Sequence, residues 1–318
     1  MKANQIFYFL TLAFTGFILV SCEDFFDTTI EIDPPQHDKR ISLVSRAFAG
    51  DTALVMNIKG SLAVLEAKEF PLVEDLSLVV LLNGLNCQIT EEPTFSQISG
   101  QETIEYKAHF NSPLVPGDVI EIKASGKEYN DIYATDTVPN SPIIEDGTFI
   151  LDGGRDEQGE EVMKVNFYYV PNVSKAQYFN QSIIIEGEKC FHFSSNEKGE
   201  LICLERRKQT SKSPCDLIDP RAINGTQGSL MKQEISDGRK LYTCQTRRVF
   251  DSNDSIVGAT MQVINVSKAY YEYDHSVSNY FDNGENPFAT PINVTSNIKN
   301  GYGVLELGNK KLFPLKIQ

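Results

Sequence analysis

The chain has 318 residues and carries 43 acidic against 29 basic side chains, which gives a formal net charge of −14. Because an acidic surface repels the phosphates of nucleic acids and anionic lipid headgroups, the composition excludes nucleic acid as an expected partner. At about 150 residues per domain, the length predicts two domains.

Residues 1–21 have the features of a lipoprotein signal peptide. Lys2 is followed by an apolar run of about fifteen residues, which is too short to span a bilayer. The run ends in Leu19-Val20-Ser21-Cys22, which resembles the lipobox of bacterial lipoproteins, where the cysteine is acylated. Two or more acyl chains give a stable anchor. We therefore expect Cys22 to be lipidated and the lipid bilayer to be a partner of the chain.

Residues 22–38 are predicted to form an acidic tether that starts at Cys22. The cysteine is followed by Glu23-Asp24-Phe25-Phe26-Asp27, and Pro34-Pro35 favours an extended chain. One interpretation is a solvated spacer that its charge keeps away from the membrane. The other is an address, since acidic residues behind the lipidated cysteine resemble the export signal of Bacteroidota lipoproteins. That signal directs proteins to the outer face of the outer membrane, which is the localisation we expect.

Residues 39–140 are predicted to form an immunoglobulin-like β-sandwich. The segment contains short β-rich runs, several of which alternate apolar and polar residues as strands packed on one face do. Turn-forming residues such as Val115-Pro116-Gly117-Asp118 separate the runs. Several antiparallel strands in such a segment favour the sandwich, and Pro139-Asn140-Ser141-Pro142 follows as a linker. The runs are 41–44, 53–58, 76–82, 103–110 and 119–124.

Residues 141–318 are predicted to form a second β-rich domain with less regular strands. Residues 189–193 and 200–204 flank Asn196-Glu197-Lys198-Gly199 and predict a hairpin. The polar stretch 206–231 contains glycine and proline and is predicted to be a long loop. The other predicted strands are 162–170, 178–185, 240–246 and 256–264.

One amphipathic helix is predicted near the C-terminus. Ser267 suits the N-cap position, and Tyr270, Tyr273, Val277 and Phe281 recur at helical spacing on one face. Such a stripe can serve as an aromatic platform for a ligand, but packing against a sheet is its more common use. We expect the stripe to belong to the core.

The chain has six cysteines, and lipidation of Cys22 leaves an odd set of five. Four of them cluster and are expected to form one or two disulfides, because zinc ligands need tighter spacing. Spacing does not fix the pairing. In the predicted hairpin His192 lies nearly opposite Cys203, so Cys190 would reach Cys203 only diagonally. Cys87 is expected to be free and buried, and the cluster consists of Cys190, Cys203, Cys215 and Cys244.

No sequence motif for catalysis, metal binding or a cofactor is present. The chain lacks HExxH, the GxSxG elbow, the P-loop and the dinucleotide-binding GxGxxG. Loop 152–161 is rich in carboxylates that suit calcium, yet a solvated strand connection is the more common use. The EF-hand-like start at Asp251 has Ile256 where the motif needs glycine, which rejects calcium there. We expect no catalytic residue, metal or cofactor, and the histidines are scattered at His37, His109, His192 and His275.

The C-terminal part carries a family resemblance. Asn286-Pro287-Phe288-Ala289-Thr290-Pro291-Ile292-Asn293-Val294 is followed by Ser296-Asn297-Ile298-Lys299-Asn300-Gly301-Tyr302-Gly303-Val304. This string resembles the ending of a Bacteroidota lipoprotein family, domain of unknown function 4249, although Leu305-Glu306-Leu307 lacks the aromatic residue expected there. Pro116-Gly117-Asp118-Val119-Ile120 and Tyr133-Ala134-Thr135-Asp136-Thr137-Val138-Pro139 resemble the same family. The resemblance implies a surface or outer-membrane lipoprotein, often encoded near TonB-dependent receptors, with no catalytic residues to carry over.

The anchor, the predicted sandwich and the resemblance lead to one functional expectation. The chain is expected to be a non-enzymatic outer-membrane lipoprotein that helps a TonB-dependent receptor capture or admit its substrate. The alternative is a structural or adhesive surface module that binds polymers without a receptor. A hydrolase built from dispersed carboxylates is a third hypothesis, and it requires a deep pocket lined by paired Asp or Glu.

Overall fold

The computed structural model describes residues 38–62, 70–95, 102–171, 175–218, 223–225, 228–236, 238–250, 254–284 and 293–318. Residues 39–62 and 68–318 form one compact unit, and the fold described below is that of this unit. The predicted signal peptide, Cys22, nearly all of the predicted tether and residues 286–292 lie outside the described residues.

The described chain is built almost entirely of β-strands, with one helix near its C-terminal end. The first nine strands are β1 (Ile41–Phe48), β2 (Ala53–Gly60), β3 (Ser77–Leu82), β4 (Leu85–Asn86), β5 (Gln88–Phe95), β6 (Glu102–His109), β7 (Val119–Gly126), β8 (Tyr129–Thr137) and β9 (Ile144–Ile150). They are followed by β10 (Val162–Tyr169), β11 (Gln177–Ser195), β12 (Leu201–Pro214), β13 (Asp216–Leu217), β14 (Ile223–Gly225), β15 (Gly228–Gln233), β16 (Lys240–Arg247) and β17 (Ser255–Val266). Helix α1 (Lys268–Gly284) precedes β18 (Ile298–Lys299), β19 (Tyr302–Pro314) and β20 (Lys316–Ile317).

These strands form three sheets. Sheet A has ten strands in the order β14-β15-β11-β17-β19-β1-β2-β6-β5, with β12 paired to β11. Sheet B has the order β18-β8-β7-β3-β4, and sheet C has the order β13-β16-β10-β9-β20. Within sheet A, β1 and β19 run parallel, with Ser42 opposite Tyr302. A strand from the C-terminal end of the chain therefore completes the sheet that β1 begins.

The first core lies between sheets A and B. Strand β1 buries every second residue, which is the alternation expected when one face of a strand packs on another sheet. Its buried Ile41 and Leu43 join Ile120 and Ile122 of β7. Strand β19 supplies Leu305 and Leu307 to the same cluster. This arrangement agrees with the predicted sandwich.

The second core lies between sheets A and C and is rich in aromatic residues. Tyr169 of β10 stacks on Phe179 of β11 with ring centroids 4.5 Å apart. Tyr242 of β16 meets the Phe179 ring edge-on at 5.5 Å. Such aromatic pairs add about 0.5–1.5 kcal/mol beyond the area that they bury. The second half of the chain therefore closes over sheet A as a second β-sandwich.

Both cores lie on the same face of sheet A. Asn265 of β17 is paired with Asn309 of β19, and paired residues point to the same face. Asn265 lies two residues from Val263 of the second core and shares its face of the strand. Asn309 lies two residues from Leu307 of the first core and likewise shares its face. Sheets B and C therefore cover neighbouring parts of one face of sheet A.

A polar seam separates the two cores and holds the chain between β8 and β9. The amide of Asn265 donates to the Asn140 carbonyl at 3.0 Å, and the amide of Asn309 donates to the Pro139 carbonyl at 3.0 Å. Asn265 also accepts a hydrogen bond from the Tyr169 hydroxyl at 2.9 Å. These two asparagines therefore hold the predicted linker against sheet A.

Helix α1 packs on the opposite face of sheet A. The Ser267 hydroxyl accepts a hydrogen bond from the Tyr270 backbone at 3.2 Å, as expected of an N-cap. Tyr270 is buried in a cluster with Val304 of β19. Tyr273 packs partly against this cluster, whereas Phe281 is 70% exposed. The predicted core role therefore holds for the first turns of the helix and is wrong for Phe281.

The predicted fold class is confirmed: the described part of the chain is mainly β, with one helix near the C-terminus. The predicted loop 206–231 is wrong, because β12 continues to Pro214 and is followed by three short strands. Sheet A contains strands from both sides of the predicted domain boundary at residue 140, and that boundary stays a prediction.

Candidate functional site

A two-stranded arm extends from sheet A. Strand β17 pairs with β11 only as far as Glu188, whereas β12 pairs with β11 as far as Ser195. Among the described residues, 189–206 are therefore supported by their own hairpin ladder and by no third strand. We call these residues the arm.

Side chains fix the arm at its tip and at its base. At the tip, the Asn196 side chain accepts hydrogen bonds from the backbone of Lys198 at 3.0 Å and of Glu200 at 2.9 Å. At the base, the Asp254 carboxylate accepts a hydrogen bond from the Cys190 backbone at 2.8 Å. A Cβ atom on Gly187 would lie 2.6 Å from the Ser255 carbonyl oxygen, so only glycine allows β17 to approach this closely.

A disulfide between Cys190 and Cys203 cross-links the two strands of the arm, with Cα atoms 5.8 Å apart. The register differs from the predicted one, because Phe193 and not His192 lies opposite Cys203. The ladder is irregular between Cys190 and Phe193, and such a bulge re-aims neighbouring side chains. The bulge changes the offset between the cysteines that a regular hairpin would give.

The arm exposes large apolar side chains. Their exposed fractions lie between 44% for Phe193 and 65% for Leu204. Isolated exposed hydrophobic residues are common on protein surfaces, whereas several within one short hairpin are typical of a contact surface. The group consists of Phe191, Phe193, Leu201, Ile202 and Leu204.

The part of β12 that continues the arm is basic, in contrast to the whole chain. Residues 189–212 contain six lysine and arginine side chains and three glutamates, whereas the chain has a net charge of −14. Arg207 forms an ion pair with Glu205 at 2.8 Å and lies over the Phe191 ring at 5.1 Å. The basic side chains are Lys189, Lys198, Arg206, Arg207, Lys208 and Lys212.

The other two clustered cysteines also form a disulfide, at the body end of β12. Cys215 follows Pro214 and bonds to Cys244 of β16, with Cα atoms 5.3 Å apart. Both cysteines are fully buried in the second core, and the Gln181 amide donates to the Cys215 carbonyl at 2.7 Å. Cys87 carries a free thiol and is only partly buried, with its pKa raised mainly by desolvation.

A cavity of about 270 Å³ lies beside the N-terminus of α1. Its lining includes Asp136 of β8, Lys175, Tyr178 and Lys268. Burial raises the pKa of Asp136 to about 6, and a hydrogen bond from the Ser267 side chain opposes this shift. The cavity thus joins one carboxylate with two lysines at the start of the helix.

A buried ion pair lies under α1. The Arg46 guanidinium bonds to the Glu306 carboxylate, whose residue is only 3% exposed. Burial raises the pKa of Glu306, and Arg46 opposes that shift. Burial also raises the pKa of Asp274 on the helix. Arg46, Glu306 and Asp274 lie where α1 covers sheet A, and Arg46 interacts favourably with both carboxylates.

The carboxylate-rich loop 152–161 closes on itself as a strand connection. Asp156 accepts hydrogen bonds from the backbone of Gln158 at 3.0 Å and of Glu160 at 2.8 Å. Glu161 pairs with Arg248 at 3.0 Å. In the described part of the chain, no three His, Cys, Asp or Glu side chains come close enough to hold a metal ion together.

The histidines that the structure describes lie far apart from one another. His109 contacts the Thr90 hydroxyl at 2.9 Å, and His275 contacts the Asn279 amide at 2.6 Å. His192 belongs to the arm, and His37 lies outside the described residues.

The described part of the C-terminal string has a structural role. The Asn297 side chain donates to the Leu305 carbonyl and accepts from the Leu305 backbone, both at 2.9 Å. Asn300 has a φ of 60°, and Gly303 has a φ of +98°. A Cβ atom on Gly303 would clash with the Leu43 backbone, so glycine permits the close approach of β1 and β19.

Sequence reasoning placed the hairpin but missed that it projects as an arm. The sequence did not indicate whether the apolar residues of 189–204 are buried, and the structure shows that five of them are exposed beyond the end of the β17 ladder. In the described ranges, no helix has the length and apolarity needed to cross a membrane.

Comparison with known proteins gives one family. No curated protein matches the chain. The sequence pattern described as "Domain of unknown function (DUF4249)" matches residues 27–312, which include every strand up to β18 and most of β19. This match confirms the predicted resemblance. The chain therefore belongs to the domain of unknown function 4249 family.

Proposed function

We propose that the protein is a non-enzymatic lipoprotein, anchored through Cys22 to the outer face of the outer membrane, that assists a TonB-dependent receptor in substrate capture or uptake. The observation that carries the proposal is the arm. A cross-linked hairpin that presents five exposed hydrophobic side chains is a ready-made contact surface. A binding role explains why the arm is ordered although it buries little apolar surface.

Three features of the arm and of the part of β12 that continues it suit a protein partner. The disulfide and the Asn196 turn limit the conformational entropy that binding would remove. Phe191 with Arg207 combines residue types that often anchor protein interfaces. The basic side chains favour a partner whose contact surface is acidic.

The proposal is tested by purifying the native protein from detergent-solubilised outer membranes. The wild-type chain should recover a β-barrel receptor. Leu201→Ser with Leu204→Ser should reduce recovery about tenfold, because each loses apolar contact at the interface. Leu85→Ser is the matched control, since Leu85 is 70% exposed and lies outside the arm.

Two outcomes would contradict the proposal. A protein that is purified alone in repeated experiments has no receptor partner. If the soluble body instead binds glycans or matrix polymers on an array, the adhesive alternative is correct. The anchor is tested separately, because Cys22→Ala should release the protein from the membrane fraction.

A further inference from the structure

Strand β12 has one unpaired edge. Its residues from Leu201 to Pro214 pair with β11 on one side, apart from Leu204 at the bulge. Among the described residues, no strand pairs with its other side. Every second residue of an antiparallel strand directs its N–H and C=O groups away from the neighbouring strand, so about seven residues of β12 offer free backbone groups.

The side chains of β12 leave this edge open. All but three residues of the strand are exposed, and the remaining three are partly exposed. Such an edge is a template for another strand, and proteins usually shorten it, cover it or protect it with charge. β12 is neither short nor covered by a described element, and charge occupies only part of it.

The charge along β12 indicates which strand it can accept. Arg206, Arg207 and Lys208 are consecutive, and Lys212 follows. A second copy of the same edge would bring these cations close to one another, and like charges across a strand pair are destabilising. An acidic strand would instead gain favourable pairs at the same positions. Beyond the basic part, Leu201, Ile202 and Leu204 offer apolar contacts.

We propose that the free edge of β12 binds an extended acidic segment of a partner protein, which adds to sheet A as a further strand. Backbone hydrogen bonds supply the binding mode, and the basic and apolar parts of β12 select the sequence. The proposal rests on the proposed function in one respect, namely that the partner of the arm is a protein.

The test uses the purified full chain and two synthetic ten-residue peptides as probes, one alternating Glu with Val and the other alternating Lys with Val. The Glu peptide should bind and slow amide hydrogen exchange within residues 201–214, because strand addition covers the outward N–H groups. The Lys peptide should not bind. Equal binding of both peptides, or no binding of the Glu peptide at about 1 mM, would overturn the proposal.

Charge reversal locates the binding edge. Arg206→Glu with Lys208→Glu should weaken binding of the Glu peptide about tenfold, because both side chains lie on one face of β12 and two favourable cross-strand pairs become repulsive. Lys123→Glu with Lys127→Glu is the matched control, since it makes the same charge change on and beside β7. An equal loss in the control would show that net charge and not β12 controls binding.

Two further outcomes separate this proposal from its alternatives. If phosphatidylglycerol vesicles bind the basic part without slowing exchange in β12, the site recognises lipid headgroups and the proposal is wrong. If the wild-type chain and the Arg206→Glu, Lys208→Glu variant recover the receptor equally, strand addition fails while the proposed function stands. If the Glu peptide binds but no receptor is recovered, the proposed function fails and strand addition stands.

Discussion

Each of the two disulfides links neighbouring strands, but the surroundings of the two disulfides differ. Cys215–Cys244 joins the body end of β12 to sheet C and is fully buried in the second core. Cys190–Cys203 joins β11 to β12 within the arm, where neighbouring side chains are exposed. The chain closes 29 residues in the first case and 13 in the second, a difference worth only about 0.7 kcal/mol of loop-closure free energy.

Surroundings must therefore decide what each disulfide does. A cross-link stabilises the folded state only where the linked residues would remain ordered without it. The second core keeps Cys215 and Cys244 in place through packing, whereas the arm has a two-stranded ladder, and an isolated hairpin is only marginally stable. Cys215–Cys244 therefore stabilises the fold, and Cys190–Cys203 keeps the arm ordered.

The largest effect should come from the buried disulfide. Replacing Cys215→Ala together with Cys244→Ala should lower the free energy of unfolding by about 4 kcal/mol, because loop-closure entropy and core packing are lost together. Denaturant unfolding under oxidising conditions measures it. Cys87→Ala is the control, since Cys87 is partly exposed and unpaired. If this loss of unfolding free energy is no larger than that caused by removing the arm disulfide, the two disulfides do not differ in their contribution to stability.

A smaller effect on the free energy of unfolding should come from the carboxylate of Asp136. Asp136 has a folded pKa of about 6 against an unfolded value near 3.8, so its ionisation destabilises the fold as pH rises from about 4 to about 6. Asp136→Asn should therefore stabilise the protein by about 2 kcal/mol at pH 7.5 and have little effect near pH 4.

Unfolding measured at both pH values checks the Asp136 prediction. Glu157→Gln, at an exposed carboxylate of loop 152–161, is the matched control and should leave the pH dependence unchanged. Equal stability gains for Asp136→Asn at both pH values would show that the effect does not come from ionisation.

The arm disulfide should have a local effect. Cys190→Ala with Cys203→Ala should cost only about 1 kcal/mol of global stability, because the arm then frays in the folded state and much of the ordering is lost there already. Amide exchange should accelerate within residues 189–206 and stay unchanged in the two cores. Faster exchange throughout sheet A would instead show that the arm and the body unfold together.

The smallest stability effect should come from the apolar surface of the arm. Leu201→Ser with Leu204→Ser should change the free energy of unfolding by about 0.5 kcal/mol or less, since both side chains are largely exposed. Leu307→Ala, at a fully buried leucine of β19, should cost about 3 kcal/mol. A large loss in the arm variant would mean that these residues hold the fold.

Local patterns were enough to predict the fold class and many of the strands, but they missed β5, β8, β9 and β19. Alternation identified β1, β2 and β7, and Ser267 marked the start of α1, because each of these elements buries one face. The same reasoning missed the extension of β12 beyond Arg206. Both faces of that segment are solvent-exposed, so its sequence carries no alternation, and the backbone ladder with β11 alone makes it a strand.

The candidate site was less predictable for a different reason. The apolar residues of the arm resemble those of a buried hairpin, and their exposure depends on where β17 stops pairing, which is a tertiary property. The Cys190–Cys203 pairing depends on a bulge that strand patterns do not reveal. Asp136 acquires its raised pKa from burial beside α1, far away along the chain.

The parallel pairing of β1 with β19 has a consequence for the timing of folding. Ser42 lies opposite Tyr302, so β1 cannot pair with β19 until the ribosome has synthesised the residues up to β19. Contacts this distant in sequence form slowly. Until β19 arrives, both cores lack a strand, and the growing polypeptide stays open to any machinery that needs an unfolded chain.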